Sequence, residues 1–282
     1  MPDPRRLLAT LQQATRWFRA TPGRVGRFTH LPAGGDVLVC GDLHGNVENF
    51  RQVLRVADLA KNPKRHLVLQ ELIHGPFAYP DQRGDKSHQL LDLVAALKCQ
   101  FPTQVHYLLG NHELAQWQNQ RIAKGDVDQN QWFLLGVETA YGAEAQAIYA
   151  AYLELFDAAD LALRTENRVF ISHTYPTAKN LPRFDLAVLR RPQLSPEDMT
   201  LGGSVHSLVW NRDHSQANVV GFLAKVDADW IITGHIPCDQ GFATPNDRQL
   251  ILDALGTPAC YCVFPTDGPI TLQRLIECVG TL

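Results

Sequence analysis

The 282-residue chain is 45% hydrophobic and 20% charged, a composition typical of globular proteins and unlike that of disordered, collagen-like or coiled-coil chains. Its formal net charge of −3 predicts no general affinity for nucleic acid, and no stretch approaches the ~20 apolar residues of a membrane-spanning helix. Because the N-terminus lacks the apolar run of a signal peptide, we expect a cytoplasmic protein whose six cysteines are reduced.

The predicted elements alternate between strands and helices. Apolar residues at helical spacing predict the helices, and short β-branched or apolar runs predict the strands. In chain order we predict helix 5–19, strand 36–40, helix 46–60, strand 66–71, loop 76–84, helix 87–99, strand 105–109, helix 143–156, strand 168–172, loop 176–203, helix 219–226, and strands 229–233, 249–253, 260–264 and 270–275. This alternation indicates α/β layers around a central sheet.

Several of the predicted strands end in short polar clusters. These clusters are Gly41-Asp42-Leu43-His44, Glu71, Gly110-Asn111-His112-Glu113, Ser172-His173 and Gly234-His235. In layered α/β folds, ligands collect outside the carboxyl ends of the strands, so we expect these side chains to converge. Each residue alone has an ordinary explanation as a turn or cap. Their recurrence at successive strand ends favours a metal site, and His, carboxylate and amide ligands suit Mn²⁺, Fe or Zn²⁺.

These motifs resemble those of the calcineurin-like metallophosphoesterases, particularly the phosphoprotein (serine/threonine) phosphatase branch. The similarity extends to Arg83-Gly84-Asp85-Lys86-Ser87 and to Leu208-Val209-Trp210-Asn211-Arg212, and it runs from about residue 36 to about residue 253. The resemblance implies an α/β layered sandwich, with central mixed β-sheets flanked by helices. It also implies a metallophosphoesterase domain over residues 36–282, preceded by an N-terminal helical extension over residues 1–35.

The resemblance further implies two divalent metal ions that activate a hydroxide for attack on phosphorus. The residues that match the family's metal ligands are Asp42 and His44 for the first ion, and Asn111, His173 and His235 for the second. His112 matches the residue that protonates the leaving oxygen. Arg83 and Arg212 match phosphate-contact regions, and bidentate phosphate binding suits arginine. Glu113 or Asp81 is a candidate to orient His112.

The second motif departs from the family pattern of Gly-Asp-x-x-Asp-Arg-Gly. Here the strand ends in Gln70-Glu71, and Gln82-Arg83-Gly84 follows only eleven residues after Glu71. We predict that Glu71 bridges the two metals and that an insertion follows it, with Asp81 as the alternative bridge and His74 as a possible extra ligand. Gln82 stands where the family has the Asp that orients the acid histidine.

Two later positions also bear on the type of enzyme. His173 is followed by Thr174-Tyr175 where the family usually has two glycines, which could reshape the pocket. The final motif, Gly234-His235-Ile236-Pro237, lacks the second histidine of many phosphoesterases, and this favours the phosphatase branch.

The resulting hypothesis is a phosphomonoesterase whose substrate is a phosphorylated protein or a small phosphate ester. Two alternatives remain at this point: a nucleotide phosphohydrolase of the diadenosine-tetraphosphatase type, and a weakly active phosphatase-like binding module. A substrate panel separates the two enzymes, and metal content separates both from the binding module. The sequence predicts no membrane or nucleic-acid partner and does not indicate the oligomeric state.

Overall fold

The computed structural model describes residues 3–282, whose strands form two large β-sheets and one small one. The strands are β1 (Arg24–Val25), β2 (Phe28–Leu31), β3 (Asp36–Cys40), β4 (Arg65–Gln70), β5 (Val105–Leu108), β6 (Ala123–Lys124), β7 (Val127–Asp128), β8 (Ala162–Thr165), β9 (Val169–Ile171), β10 (Trp230–Thr233), β11 (Phe242–Ala243), β12 (Gln249–Leu252), β13 (Cys260–Pro265) and β14 (Val279–Thr281). One sheet has the order β14-β13-β3-β4-β5, the other the order β1-β2-β8-β9-β10-β12-β11, and β6 pairs with β7.

Helices cover the outer faces of this sandwich. They are α1 (Pro4–Arg19), α2 (Val47–Ala57), α3 (His88–Gln100), α4 (Asn111–Trp117), α5 (Gln129–Tyr141), α6 (Ala145–Asp157), α7 (Pro196–Met199), α8 (Ser204–Val209), α9 (Gln216–Val226) and α10 (Leu272–Glu277). Within residues 3–282, each helix is too short or too polar to traverse a lipid bilayer.

The two faces of each central strand enter different cores, as the period of a strand requires. On β3, Val37 and Val39 are buried between the two sheets, whereas Leu38 and Cys40 are buried under the helices. Both faces of β3 are therefore covered, which explains its uninterrupted apolar sequence. The mixed sheets and flanking helices confirm the predicted fold class.

The N-terminal segment is joined to these layers. Asp3 caps α1 by accepting a hydrogen bond from the Arg6 amide at 3.0 Å, and α1 packs against α3 and α6. The segment also supplies β1 and β2, and β2 pairs with β8 in the seven-stranded sheet. Describing it as helical is therefore incomplete, and the division at residue 36 stays a prediction.

Several predicted elements need correction. The predicted strand 270–275 is wrong: Thr271 accepts a hydrogen bond from the Arg274 amide at 3.1 Å and caps α10 there. This local cap outweighs the β-branched residues that suggested a strand. The sequence analysis also missed three helices and seven short strands: α4, α5, α8, β1, β2, β6, β7, β8, β11 and β14. It placed a loop over 176–203, where α7 and two short 3₁₀ turns occur.

The buried amino group of Lys98 in α3 leads to a prediction about stability. Lys98 is fully buried, and its Nζ donates to Thr21 Oγ1 and to the Val105 carbonyl, both at 2.8 Å. Burial lowers the pKa of Lys98 from 10.5 to about 7. Between these values the unfolded chain binds a proton that the folded chain does not, so this group makes stability rise with pH. We expect the melting temperature of the wild type to rise more steeply than that of Lys98→Met across this window. Equal slopes in thermal unfolding would contradict the assignment.

Candidate active site

The six predicted metal ligands meet at the carboxyl ends of the central strands of the two sheets. Strands β3, β4 and β5 run parallel to one another, as do β9 and β10, so their carboxyl ends lie together. Asp42 joins the sheets by accepting a hydrogen bond from the His235 amide at 2.7 Å. A cavity of about 150 Å³ opens there, and it is lined by Asp42, His44, Glu71, Asn111, His112, Arg212, His235, Pro237, Asp253 and Leu255.

Two groups of side chains in this site have the spacing of metal ligands. One group is Asp42, Glu71 and His173, and the other is His44, Glu71 and His112; within each, the candidate ligand atoms lie within 4.8 Å of one another. Glu71 belongs to both groups. That shared position is where a carboxylate bridging two ions would stand, and the bridging role of Glu71 stays a prediction.

Hydrogen bonds fix the ring of His173, which is fully buried. Gln70 Nε2 donates to the Cys40 carbonyl at 3.1 Å, so Gln70 Oε1 faces His173 Nδ1, at 3.0 Å, and accepts its proton. The lone pair of His173 is therefore on Nε2, which lies 3.0 Å from Asn111 Oδ1. Asn111 Oδ1 also lies 2.7 Å from Nδ1 of His235.

The centre of the site holds electron pairs without matching donors. Nε2 of His173 lies only 2.6 Å from Glu71 Oε2, and when Glu71 is ionised neither atom has a proton to share in this tautomer. Asp42 Oδ1 and Glu71 Oε2 are buried and have no hydrogen-bond partner among residues 3–282. Unpaired buried acceptors are costly. Bound cations would satisfy them, so the residues present fit the predicted metal site.

Burial favours the uncharged form of the histidines and of the carboxylates in this site. Burial lowers the pKa of His173 to about 3 and that of His235 to about 2, so both imidazoles are neutral and able to ligate at neutral pH. Burial raises the pKa of Asp42, and the nearby Glu71 charge raises it further. Burial likewise raises the pKa of Glu71. Cation binding would favour the ionised carboxylates and release any bound protons.

Two glycines allow this close packing of acidic side chains. A Cβ atom at Gly110 would collide with the carboxylates of Glu71 and Glu113. A Cβ atom at Gly234 would collide with Asp42 Oδ1 and with Gln70 Oε1. The glycine that precedes each of these motifs therefore makes room for the ligand cluster, beyond any role in turning the chain.

The histidines on the open side of the site are held by the main chain. His44 Nδ1 donates to the Ile73 carbonyl at 2.9 Å, which leaves Nε2 free to face the cavity. His112 stands in the first turn of α4, and its amide donates to Glu71 Oε1 at 3.0 Å. The main chain of His112 thus positions Glu71, while the His112 side chain lines the cavity.

Of the predicted arginines and carboxylates that are not metal ligands, only some lie at the cavity. Arg212 lines the cavity, and its Nε donates to His235 Nε2 at 3.1 Å. Arg83 and Asp81 are exposed and do not line the cavity. Glu113 is buried and accepts a hydrogen bond from the Leu72 amide at 2.7 Å, so it holds the turn after Glu71. The ring of His112 is instead contacted by His74, whose Nδ1 lies 2.9 Å from His112 Nδ1.

Sequence reasoning missed three residues in and around the site, which are Gln70, Asp253 and Gln116. It also missed the contact of His74 with His112. Asp253 had a usable signal, because it directly follows β12 just as Asp42 follows β3 and Gly41. Its carboxylate accepts hydrogen bonds from the amides of Cys238 and Leu255. Gln116 had no signal, since its partner lies 42 residues away on an irregular segment.

Comparison with known proteins agrees with this geometry. The calcineurin-like phosphoesterase family profile matches residues 35–239, which include all six predicted metal ligands. The chain belongs to the calcineurin-like phosphoesterase family. This confirms the predicted family, and the relatives described below carry serine/threonine phosphatase names, as the predicted branch would.

The chain is 26% identical over 234 residues to a probable serine/threonine-protein phosphatase of Encephalitozoon cuniculi, covering 79% of this chain and 47% of the relative. It is 23% identical to serine/threonine-protein phosphatase 5 of Solanum lycopersicum, covering 85% of this chain and 41% of that one. The chain thus spans less than half the length of either relative.

Solved structures share the fold. A serine/threonine phosphatase from Saccharomyces cerevisiae, described as similar to human phosphatase PP5, superposes with a TM-score of 0.69 at 18% identity and covers 93% of this chain and 82% of its own. A cold-active protein-tyrosine phosphatase from a psychrophilic Shewanella superposes with a TM-score of 0.59 at 14% identity, covering 84% of this chain and 77% of its own. At these identities the similarity establishes the fold alone.

Proposed function

We propose that this calcineurin-like phosphoesterase is a metal-dependent phosphomonoesterase that acts on phosphoserine or phosphothreonine in proteins, or on small phosphate esters. One observation carries the proposal: the acceptor atoms of Asp42, Glu71 and His173 converge with no proton donor among them. Such a cluster is stable when it holds cations. It stands at the strand ends where α/β folds bind ligands.

The same residues are proposed as the ligands of two divalent ions. Asp42 and His44 would hold one ion, and Asn111, His173 and His235 the other, with Glu71 between them. Nitrogen, carboxylate and amide donors without thiolate favour Mn²⁺, Fe or Zn²⁺. When bound, such ions supply Lewis-acid charge neutralisation and a nucleophile from water at neutral pH.

The side chains at the cavity mouth have separate tasks in this proposal. The exposed guanidinium of Arg212 is placed to bind phosphoryl oxygens as they enter. The His112 ring lines the same cavity and is placed to give a proton to the departing oxygen. A cavity of about 150 Å³ accommodates a phosphoryl group while the rest of the ester stays outside, which suits substrates of varied size.

The test is hydrolysis by purified protein of p-nitrophenyl phosphate, a phosphoserine peptide and diadenosine tetraphosphate. We expect phosphate release from the two monoesters, loss of activity in a chelator and recovery with added Mn²⁺. Full activity in the chelator would contradict metal dependence. Preferred cleavage of diadenosine tetraphosphate would replace the proposal with a nucleotide phosphohydrolase, and bound metal without hydrolysis of any substrate would indicate a binding module.

Arg212 provides a prediction about substrate binding. The guanidinium of Arg212 lies at the cavity and has no lone pair to offer a metal ion. Removing it should therefore weaken phosphate binding without removing a metal ligand. We expect Arg212→Ala to raise KM for p-nitrophenyl phosphate roughly tenfold, with Arg212→Lys intermediate, because lysine keeps the charge and loses the bidentate fork. The matched control is Arg83→Ala, whose position is exposed and outside the cavity lining. Steady-state kinetics with an unchanged KM in Arg212→Ala would contradict this role.

A further inference from the structure

The general acid of the proposed reaction has an unusual partner in this protein. Nδ1 of His112 lies 2.9 Å from Nδ1 of His74, and the two rings meet edge to face with their centroids 5.0 Å apart. Among residues 3–282 no carboxylate takes this place, since Asp81 is exposed and Glu113 accepts from the Leu72 amide. Two ring nitrogens can share one hydrogen bond only if one donates and the other accepts.

Neighbouring hydrogen bonds decide which ring donates. Gln116 Nε2 lies 3.5 Å from the Asn130 carbonyl, which only accepts, and 2.7 Å from the Tyr149 hydroxyl. The amide nitrogen of Gln116 is thereby oriented toward these two groups, and its Oε1 faces His74 Nε2 at 2.8 Å. His74 Nε2 must therefore carry a proton and donate it to Gln116. A neutral His74 then has its lone pair on Nδ1.

His74 is held firmly in this orientation. Its backbone has φ of 61°, a left-handed conformation that histidine adopts more readily than most residues. Its amide donates to Ser87 Oγ at 3.1 Å, and its ring packs edge to face on Phe133 at 5.9 Å. Burial lowers the pKa of His74 to about 4, so the ring is neutral at physiological pH.

We propose that His74, fixed by Gln116, is a positioning residue that accepts a hydrogen bond from Nδ1–H of His112 and holds the His112 Nε2 toward the substrate. This inference rests on the proposed phosphoesterase function. Because burial lowers the pKa of His112, its resting ring is neutral, and Nε2 first takes up a proton from solvent. As the bond from phosphorus to the leaving oxygen breaks, that proton moves to the oxygen. The Nδ1 proton stays on His112 throughout and remains bonded to His74. His74 thus takes the place that a carboxylate would fill, without adding a negative charge.

Two substitutions at position 74 separate this role from general packing. In His74→Asn, the side-chain oxygen occupies nearly the place of Nδ1 and can still accept from His112, and asparagine tolerates positive φ. In His74→Gln, the terminal amide reaches toward Gln116, but nothing replaces Nδ1. His74→Asn therefore keeps the hydrogen bond with His112, whereas His74→Gln keeps the one with Gln116.

The first measurement needs neither metal nor substrate. Long-range ¹H–¹⁵N spectra of the metal-free, ¹⁵N-labelled full chain, recorded at about pH 8 where histidine is neutral, report which ring nitrogen carries the proton. We expect His74 protonated at Nε2 and His112 at Nδ1. In His74→Gln, His112 should shift to the Nε2–H tautomer that imidazole favours in water. A His112 tautomer that is already Nε2–H in the wild type would overturn the proposal.

The second measurement compares leaving groups. p-Nitrophenolate leaves without protonation, whereas the alkoxide of a phosphoserine peptide needs a proton. We expect His74→Gln to lower kcat on the peptide roughly 10- to 100-fold and to change kcat on p-nitrophenyl phosphate much less, with His74→Asn near the wild type. In a His112→Ala background, His74→Gln should have no further effect. Equal losses on both substrates, or an undiminished loss in that background, would overturn the proposal. No hydrolysis by the wild type would instead refute the phosphoesterase function, leaving the tautomer measurement as the test of this contact.

Discussion

Replacing His112 with alanine is expected to lower kcat on a phosphoserine peptide by about 100-fold or more while metal content stays near that of the wild type. The side chain of His112 lines the cavity and is the proposed proton donor, whereas its backbone amide holds Glu71 at 3.0 Å. Alanine keeps that amide, so the ligand cluster should remain intact. Steady-state kinetics and metal analysis of the same preparation check both halves of the prediction.

The result for metal content decides between two roles for His112. Its ring lies in one of the two groups with metal-ligand spacing, together with His44 and Glu71. If His112→Ala loses metal in proportion to activity, His112 is a ligand and the general-acid role is wrong. If metal is retained and kcat is unchanged on the peptide, the acid lies elsewhere.

Glu71→Ala is expected to lose most of the bound metal, whereas Asp81→Ala is expected to retain it. Glu71 is 1% exposed and belongs to both ligand groups, so its removal should weaken both sites. Asp81 is exposed on the following loop and does not line the cavity, which makes Asp81→Ala the matched control. Metal analysis after dialysis against limiting Mn²⁺ provides the measurement.

A conservative variant separates ligand loss from unfolding. Glu71→Gln keeps the size of the side chain and an oxygen for the His112 amide, but removes the negative charge. Because Glu71 Oε2 is buried without a hydrogen-bond partner among the described residues, this variant should melt at or above the wild-type temperature in a chelator. It should nonetheless bind less Mn²⁺. A normal metal content in Glu71→Gln and loss of metal in Asp81→Ala would move the bridge to Asp81.

Much of the fold could be predicted from sequence because its central strands are fully buried. All of β5 and the four residues of β3 after Asp36 are buried, and the ends of both strands were predicted to within about one residue. The helix α5 and the strand β8 escaped prediction for the opposite reason. Their sequences mix polar and apolar residues, and their stability comes from packing against distant elements, such as β2 against β8.

The residues of the candidate site also fall into a predictable and an unpredictable group. Residues at strand ends were predictable, because the geometry of parallel strands brings their carboxyl ends together whatever the intervening chain does. The partners that orient those residues were not. Gln70 reaches His173 from 103 positions away, and His74 reaches His112 from an irregular loop. Such contacts depend on the path of individual loops and on tautomers, which leave no periodic pattern in the sequence.

The central claim is that two divalent cations bind among the strand-end residues. The most direct measurement is anomalous diffraction at the manganese edge from crystals grown with Mn²⁺. We predict two peaks in the cavity, about 3.5–4 Å apart. One should lie beside Asp42 and His44, the other beside Asn111, His173 and His235, with Glu71 between them. A cavity without a peak at saturating Mn²⁺, or peaks only at other surface sites, would contradict the account.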